Sequence, residues 1–205
     1  MKYSVGFQLY QGNEEPFSQI VKSYREHISE VFFAWQDIAS GRSPIATRHG
    51  YTDWSWLKRT EEELRAIKQM GIKLDLLFNG NCYGEYAISE KLANTVDSVI
   101  EHLESIDCGV DIVTTASLSI AHTIKKHFPK IEVRASVNMR IGTVKGMEYV
   151  SDLFDSFHVQ RDYNRNLEHL KMLKSWADDH GKKLVCLQTA GALSIVRGKV
   201  FTIIW

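Results

Sequence analysis

Three stretches of the chain share one pattern, and that pattern decides the fold. They read KQMGIKLDLLFNGN (residues 68–81), DCGVDIVTTAS (107–117) and DDHGKKLVCLQTA (178–190). In each stretch a glycine stands at the C′ position, just after a helix, where the backbone takes positive φ. The run after the glycine is rich in Leu, Ile and Val, which is typical of a strand buried on both faces. Gly71, Gly109 and Gly181 are therefore predicted to mark transitions from a helix to a buried strand.

The same alternation extends outward over the rest of the chain. Apolar residues recur at helical spacing between the predicted strands. Thr60 and Glu63 have the spacing of a capping box that opens the helix ending at Met70. Asn166 is a candidate cap for the helix that follows it. Strands are predicted near residues 3–9, 30–35, 72–78, 110–115, 131–137, 156–160 and 183–187.

Alternating strands and helices with short connections imply a parallel sheet with right-handed crossovers. An open doubly wound sheet and a (β/α) barrel both have this pattern. The stretch VGFQLYQGNEEPF (residues 5–17) lacks the spacing of a dinucleotide-binding fingerprint, which disfavours a nucleotide-binding open sheet. A complete barrel has eight strands and about 250 residues. The 205-residue chain therefore predicts an α/β fold, an incomplete TIM-like (β/α) barrel of about seven parallel strands.

The composition is that of an ordinary globular protein, with 44% hydrophobic and 24% charged residues and a net charge of +0. This balance gives no electrostatic reason to expect nucleic acid or membrane as a partner. No apolar run approaches the roughly 18 residues of a membrane span, and the N-terminus lacks the apolar segment of a signal peptide. Three scattered cysteines do not form a disulfide framework, so we expect a cytoplasmic location.

Polar residues follow the predicted strands, and function collects at the carboxyl ends of strands in both architectures. Several amides, hydroxyls and guanidinium groups at one barrel mouth would bind a polar or anionic ligand. Any one of these residues also suits a turn for backbone reasons. The candidate substrate-binding residues are Asn79, Asn81, Tyr83, Thr114, Ser136, Asn138, Gln160 and Arg161, with Arg42 from the long loop between residues 37 and 53.

The candidate catalytic residues are Cys82, Arg140 and His158. A nucleophilic cysteine needs a nearby base and a lowered pKa, and His158 is a candidate for that base. The alternative for His158 is a packed strand residue. The eight histidines include no HExxH motif, and we predict no metal site.

Three longer segments carry a resemblance. They are KLDLLFNGNCYGEYAIS (73–89), DIVTTASLSIAHTIKKHFPKIEVRASVNMRIGTVKGMEYV (111–150) and DSFHVQRDYNRNLEHLKMLKSW (155–176). Over roughly residues 1–187 the chain resembles the collagenase-like peptidases of unassigned catalytic class, family 32. The resemblance implies an α/β barrel. The positions that match the family's strand-end motifs are Asn79, Asn81, Cys82, Ser136, Asn138, Arg140, Gln160 and Arg161.

The resemblance also implies an activity and a class of substrate. Some members of the family are described as peptidases. Others act in oxygen-independent hydroxylation of RNA bases or quinone precursors. They use an iron–sulfur cluster, of the 4Fe-4S type, that is held by downstream cysteines. The substrate would thus be a small molecule, a peptide or RNA. A protein that keeps the barrel mouth but lacks the chemistry, a non-catalytic remnant or binding module, is the alternative function.

The last residues depart from the family. Where members have a segment like NSGC…C, this chain reads QTAGALSIVRGK (188–199), so we expect no cofactor in this chain. Read one base out of frame, permitted codons for the segment from Gln188 onward give Asn-Ser-Gly-Cys-Leu-Lys-Tyr-Cys. We therefore predict a barrel domain over residues 1–187 and a frame-shifted tail over 188–205. The alternative is a terminal hairpin with Arg197-Gly198 in its turn.

A barrel that lacks its eighth strand leaves two strand edges unpaired. The tail is apolar, with high β-propensity and no acidic residue, which is an aggregation signature. We therefore expect a poorly soluble chain, or an oligomer or partner chain that completes the barrel.

Overall fold

The computed structural model describes residues 2–10, 12, 14–36, 38–40, 47–48, 51–188 and 201–204. The strands are β1 (Lys2–Gly6), β2 (Ile28–Phe33), β3 (Thr47–Arg48), β4 (Tyr51–Thr52), β5 (Lys73–Phe78), β6 (Ile112–Thr115), β7 (Glu132–Ala135), β8 (Ser156–His158), β9 (Lys183–Gln188) and β10 (Phe201–Ile204). The α-helices are α1 (Phe17–Ser23), α2 (Trp54–Gln69), α3 (Glu90–Ser105), α4 (Leu118–His127), α5 (Val144–Val150) and α6 (Leu167–Asp179), and the 3₁₀ helices are η1 (Gly84–Tyr86), η2 (Val137–Met139) and η3 (Arg161–Tyr163).

Seven parallel strands follow one another around a barrel in the order β1, β2, β5, β6, β7, β8, β9. The predicted incomplete TIM-like barrel of seven parallel strands is confirmed. In the described part of the chain, the position of an eighth parallel strand is taken by β10. This strand pairs antiparallel with β9 on one side and with β1 on the other. The short strands β3 and β4 form a separate two-stranded sheet in the long loop before α2.

The barrel strands have an apolar outer face and a partly polar inner face. Successive side chains of a strand point to opposite sides of a sheet. On β5, Leu74, Leu76 and Phe78 belong to the hydrophobic core that the strands share with the helices. Asp75, between them, is equally buried but belongs to a cluster of charged residues. Arg134 on β7 has the same position relative to its apolar neighbours.

Two of the three predicted glycine transitions are confirmed, since Gly71 has φ 76° and Gly181 has φ 64°. The prediction for Gly109 was wrong, because the positive φ lies two residues earlier, at Asp107, with φ 59°. Aspartate tolerates the left-handed region better than most residues do. A Cβ at Gly109 would lie 2.3 Å from a carboxylate oxygen of Glu104, which is the end of an exposed side chain that can move aside.

The helix caps were predicted with mixed success. Asn166 caps α6 as predicted, through its side-chain oxygen. The capping box at Thr60 was wrong, because α2 already begins at Trp54 with Asp53 as its N-cap. The Thr60 hydroxyl donates to a carbonyl of the preceding turn. Glu63 accepts hydrogen bonds from the amide and hydroxyl of Ser18 and so joins α1 to α2.

Candidate functional site

The loops that follow β5, β6, β7 and β8 line a cavity of about 470 Å³, and the short helices η2 and η3 belong to two of these loops. We call this cavity the mouth pocket. Five of the residues predicted from the sequence line it together with one acidic residue. These six are Asn81, Asn138, Arg140, Gln160, Arg161 and Asp162.

The mouth pocket carries a net positive charge. Arg140 and Arg161 are both exposed, and neither guanidinium has a hydrogen bond or ion pair to another described residue. The carboxylate of Asp162 accepts a hydrogen bond of 2.7 Å from the Gln160 amide. Two arginines and one aspartate leave one positive charge. Unpaired guanidinium groups of this kind form charge-assisted, often bidentate, hydrogen bonds with carboxylate or phosphate groups.

The backbone around Arg140 is specialised. Arg140 has φ 52° and ψ 36°, in the left-handed region that a non-glycine residue enters at a cost of roughly 1–2 kcal/mol. Such strain concentrates at functional sites. Two residues later, a Cβ on Gly142 would lie 2.5 Å from the Tyr163 ring and 2.6 Å from the Gln160 side-chain oxygen. Only glycine lets the loop after β7 pack this closely against the loop after β8.

Hydrogen bonds of predicted mouth residues hold the loops around the pocket in place. The Asn138 side-chain amide donates to the carbonyl of Asn79 at 2.9 Å, which links the loops after β7 and β5. The Ser136 hydroxyl accepts from the Asn138 backbone amide at 3.2 Å. The Tyr83 hydroxyl donates to the Phe78 carbonyl at 2.7 Å, and burial raises its pKa to about 12. These contacts position the loops, so the wall does not depend on a bound ligand.

Thr114 lies inside the barrel, below the mouth. Its hydroxyl donates to Asp75 Oδ2 at 2.8 Å, and both residues are almost fully buried. Thr114 was predicted to bind substrate because it comes near the end of β6. Its side chain instead belongs to the interior cluster, which we define as Glu30, Asp75, Thr114, Glu132, Arg134, Ser156 and Lys183.

Arg134 is the centre of the interior cluster and is only 2% exposed. From β7 its guanidinium reaches both carboxylate oxygens of Glu30 on β2, at 2.5 and 3.1 Å. It also donates to Glu132 at 3.0 Å and to the Ser156 hydroxyl at 3.1 Å. Asp75 Oδ2 lies 3.4 Å away. One side chain thus connects four strands across the barrel interior.

Two carboxyl groups of the interior cluster have pKa values that are shifted in opposite directions. Burial raises the pKa of Asp75 to about 8 against the opposing charge of Arg134. Burial also acts on Glu132, but Arg134 and the hydrogen bonds from Lys183 and Ser156 prevail and lower its pKa to about 2. Among the described residues, Asp75 Oδ1 is buried without a hydrogen-bond partner. Burial therefore favours the protonated form of Asp75.

His158 is buried at the end of β8. Its Nδ1 lies 3.2 Å from the Ala135 carbonyl oxygen, and because a carbonyl only accepts, Nδ1 carries the proton. Burial and the charge of Arg134 lower the pKa of His158 to about 3. The imidazole is therefore neutral, with Nε2 as an acceptor.

Cys82 is exposed in the loop after β5, and its sulfur accepts a hydrogen bond from the Gly84 amide at 3.3 Å. No hydrogen bond joins Cys82 to His158, both of which are described residues. The structure therefore does not assemble the two as a nucleophile and its base. Separate catalytic roles for Cys82, Arg140 and His158 stay predictions, and Arg42 lies outside the described residues.

The cysteines of the described residues do not fit an iron–sulfur cluster, which needs thiolates, commonly four, at one place. Cys82 is exposed in the mouth loop, Cys108 is buried before β6, and Cys186 is partly buried on β9. Burial raises the pKa of Cys108 to about 11, which disfavours the thiolate that a metal requires. No group of three or more His, Cys, Asp or Glu side chains in the described part of the chain is arranged to hold a metal ion.

A second cavity, of about 1290 Å³, lies at the amino ends of the strands. Its size alone does not make it the site. Three of the five lysines in its wall are already paired, since Lys68 contacts Asp111, Lys125 contacts Asp155 and Lys183 contacts Glu132, each at 2.6 Å. Because barrel enzymes bind substrates at the carboxyl ends of strands, the smaller mouth pocket is the candidate site.

The chain matches no protein-family model, and no curated protein matches it. Among solved structures it is similar to a U32 peptidase, with a TM-score of 0.64, 16% identity, and coverage of 90% of this chain and 67% of that one. It is also similar to a phosphodiesterase from Oleispira antarctica solved with the product sn-glycerol-3-phosphate (TM-score 0.58, 14% identity, coverage 91% and 83%). A third similar structure is an alpha-amylase from Lactobacillus plantarum (TM-score 0.53, 9% identity, coverage 88% and 61%). At these identities the likeness shows a U32-like TIM-barrel fold.

The expectation that the chain has no membrane partner is addressed only by the character of its helices. No helix in the described part of the chain combines the length and the apolar character that crossing a bilayer requires.

The interior cluster was missed from the sequence, although a signal for it exists. Asp75 interrupts KLDLLF and Arg134 interrupts EVRA, each between residues of the apolar outer face. Charged residues at alternating positions of otherwise apolar strands indicate a polar barrel interior. The partner of each charge could not be predicted, because Glu30 and Arg134 are separated by 104 residues.

Proposed function

We propose that the mouth pocket binds a polar, anionic substrate and that the chain is a peptidase-like hydrolase. The observation that carries this proposal is a pair of exposed guanidinium groups, Arg140 and Arg161, that line one pocket and have no hydrogen bond or ion pair to another described residue. Arg140 adds a strained backbone that the surrounding loops stabilise. The resemblance of the strand-end motifs to collagenase-like peptidases supports a peptide as the substrate, with its carboxylate as the anionic group.

The binding test uses two matched peptides. N-acetyl-Ala-Ala-Ala with a free carboxylate is titrated into the protein and followed by NMR, beside the same peptide as its terminal amide. A charge-assisted hydrogen bond contributes roughly 1.5–3 kcal/mol, so Arg140→Ala or Arg161→Ala is expected to weaken carboxylate binding about 10- to 100-fold.

Arg25→Ala is the control, because it removes an exposed arginine before β2, at the amino end of the barrel. It is expected to leave binding unchanged. Equal binding of the carboxylate and the amide, or equal loss in all three variants, would contradict the proposal.

A non-catalytic binding module is the second candidate function. It is favoured by the separation of Cys82 from His158, which leaves the thiol without a base among the described residues. Cleavage of gelatin or casein distinguishes the two candidates. A peptidase that uses the thiol loses cleavage with Cys82→Ala and keeps it with Cys108→Ala, whereas a module binds the peptide carboxylate without cleaving either protein.

A further inference from the structure

One side chain outside the mouth pocket contacts both of the loops that carry its arginines. His169 lies near the start of α6, and its backbone amide is held by the Asn166 cap at 3.1 Å. Its Nε2 lies 2.6 Å from the Gly142 carbonyl oxygen, in the loop after β7. Its ring stacks on Tyr163, at the end of η3, with centroids 4.0 Å apart and an interplanar angle of 26°.

These contacts are close to both arginines along the chain. Gly142 is two residues from Arg140, and Tyr163 is two residues from Arg161. Because the Gly142 carbonyl only accepts, Nε2 of His169 carries the proton in this bond. His169 is half-buried and does not line the mouth pocket.

The loop after β7 needs such a restraint. Arg140 is in the left-handed region, and Gly142 has no side chain with which to fix its own backbone. The hydrogen bond from His169 attaches the Gly142 carbonyl to α6, and the stacked ring attaches η3 to the same helix.

From this geometry we infer that His169 is a positioning residue, which sets the separation of the Arg140 and Arg161 loops and thereby the affinity of the mouth pocket for a carboxylate. The inference rests on the proposed function for its ligand. The effect of His169 on the loop geometry is independent of the proposed function, because it can be measured without any ligand.

The variants separate the two contacts of the imidazole. His169→Phe keeps a ring on Tyr163 and removes the donor to Gly142, whereas His169→Gln places an amide donor near the position of Nε2. A lost neutral hydrogen bond corresponds to about a five-fold loss in affinity. His169→Phe is therefore expected to bind N-acetyl-Ala-Ala-Ala about five-fold more weakly, and His169→Gln is expected to restore most of that loss.

A matched control lies at the other end of α6. His180 stacks on Trp176 with centroids 4.4 Å apart, and its Nδ1 lies 2.8 Å from the Trp176 carbonyl oxygen. His180→Phe therefore removes the same kind of hydrogen bond, at a place that contacts neither mouth loop. It is expected to leave peptide affinity unchanged.

Amide hydrogen exchange of the ligand-free protein supplies the second readout. The amides of Arg140 and Tyr163 donate within their own loops, to Val137 at 3.1 Å and to Gln160 at 3.0 Å. Both are expected to exchange faster in His169→Phe, at the original rate in His169→Gln, and at the original rate in His180→Phe. Unchanged exchange in His169→Phe would overturn the inference. If the original protein binds no peptide, the proposed function fails, and exchange alone decides the role of His169.

Discussion

At the scale of single residues, the charges inside the barrel determine which carboxyl groups are ionised. Glu30 and Glu132 are matched by Arg134 and Lys183, so an ionised Asp75 would be one negative charge in excess. An uncompensated buried charge is costly, and a carboxyl group in such a place neutralises by binding a proton. The raised pKa of Asp75, about 8, follows first from its burial and then from the neighbouring negative charge of Glu30.

Asp75 therefore makes the protein less stable as the pH rises. Between its ordinary pKa of 3.8 and about 8, the folded chain binds a proton at Asp75 that the unfolded chain does not. The free energy of unfolding should then fall with rising pH, by up to about 1.4 kcal/mol per unit, and level off above pH 8. Asp75→Asn should flatten this slope, as measured by urea unfolding between pH 6.5 and 8.5. Asp179→Asn, at the exposed end of α6, should retain it; a retained slope in Asp75→Asn would refute the assignment.

His158 has the opposite effect on the pH dependence of stability, and it acts at lower pH than Asp75 does. Its pKa is about 3 in the folded chain and 6.5 ordinarily, so between these values only the unfolded chain binds the proton. Stability should therefore fall as the pH drops from 6.5 toward 3. His158→Asn retains a donor near Nδ1 and should reduce this acid sensitivity, whereas His122→Asn on the exposed side of α4 should not. Thermal unfolding at pH 4.5 and 6.5 makes the comparison.

The mouth residues could be predicted because they stand next to strand ends in the sequence, so Asn138, Arg140, Gln160 and Arg161 needed no knowledge of packing. Thr114 was predicted on the same ground, and its role in binding substrate stays a prediction; proximity to a strand end does not tell that its hydroxyl is buried against Asp75 inside the barrel. Its neighbour Asp75 would have decided the question, but their contact joins different strands.

At the scale of elements, the amino ends of the strands carry a repeated clamp. Asp111, just before β6, accepts from the Leu74 amide at 2.9 Å and from Lys68 at 2.6 Å. Asp155, just before β8, accepts in the same way from the Val133 amide at 2.9 Å and from Lys125 at 2.6 Å. Each aspartate thus joins a helix, the strand that follows it and the next strand of the barrel.

The clamp predicts a measurable effect on stability. Asp155→Ala leaves the Val133 amide without its acceptor, and a buried donor left unpaired costs roughly 1–3 kcal/mol. Asp155→Asn, which keeps an acceptor but loses the charge, should cost less. Denaturant unfolding measures both, with Glu148→Ala as the control, because its pair with Lys145 is exposed and should contribute little. An effect of Asp155→Ala no larger than that of Glu148→Ala would show that the clamp is not stabilising.

Element boundaries show why local sequence signals are incomplete. The Thr60–Glu63 spacing matches a capping box, yet Asp53 precedes an equally helical run and caps α2 first. Glu63 was free to bond Ser18 on α1, a contact across 45 residues that spacing along the chain does not reveal. The seven parallel strands were predictable because their apolar runs and the helices between them repeat locally.

At the scale of the whole molecule, β10 changes the expectation for the strand edges. The sequence predicts two unpaired edges in a seven-stranded barrel, whereas β10 pairs with β1 and β9. An apolar groove of about 530 Å³, lined in part by Leu170 of α6 and Leu184 and Cys186 of β9, remains beside this closure. An oligomer or partner chain on the barrel stays a prediction, as does the cytoplasmic location.

The origin of residues 188–205 is a separate question. We propose that they are a shifted reading of a cysteine-containing segment, and the coding DNA past Leu187 tests this. Stop codons soon after Leu187 in the neighbouring frame would refute it. A long open frame with both cysteines would support it, and the protein made in that frame would then be examined for an iron–sulfur cluster by its absorption spectrum.

The pairing of β10 gives the last prediction. Removing residues 189–205 would leave the edges of β1 and β9 without partners, and exposed strand edges pair with other chains. The shortened protein should therefore unfold at a lower denaturant concentration than the full chain and should form larger species in sedimentation velocity. Ile203→Pro should act in the same direction without shortening the chain, because proline removes a donor from the ladder that β10 shares with its neighbours. Ile203→Val keeps that donor and should change both measurements less than Ile203→Pro does. A shortened chain that matches the full chain in both experiments would mean that β10 does not stabilise the barrel, and the seven parallel strands would then have to be stable as an open sheet.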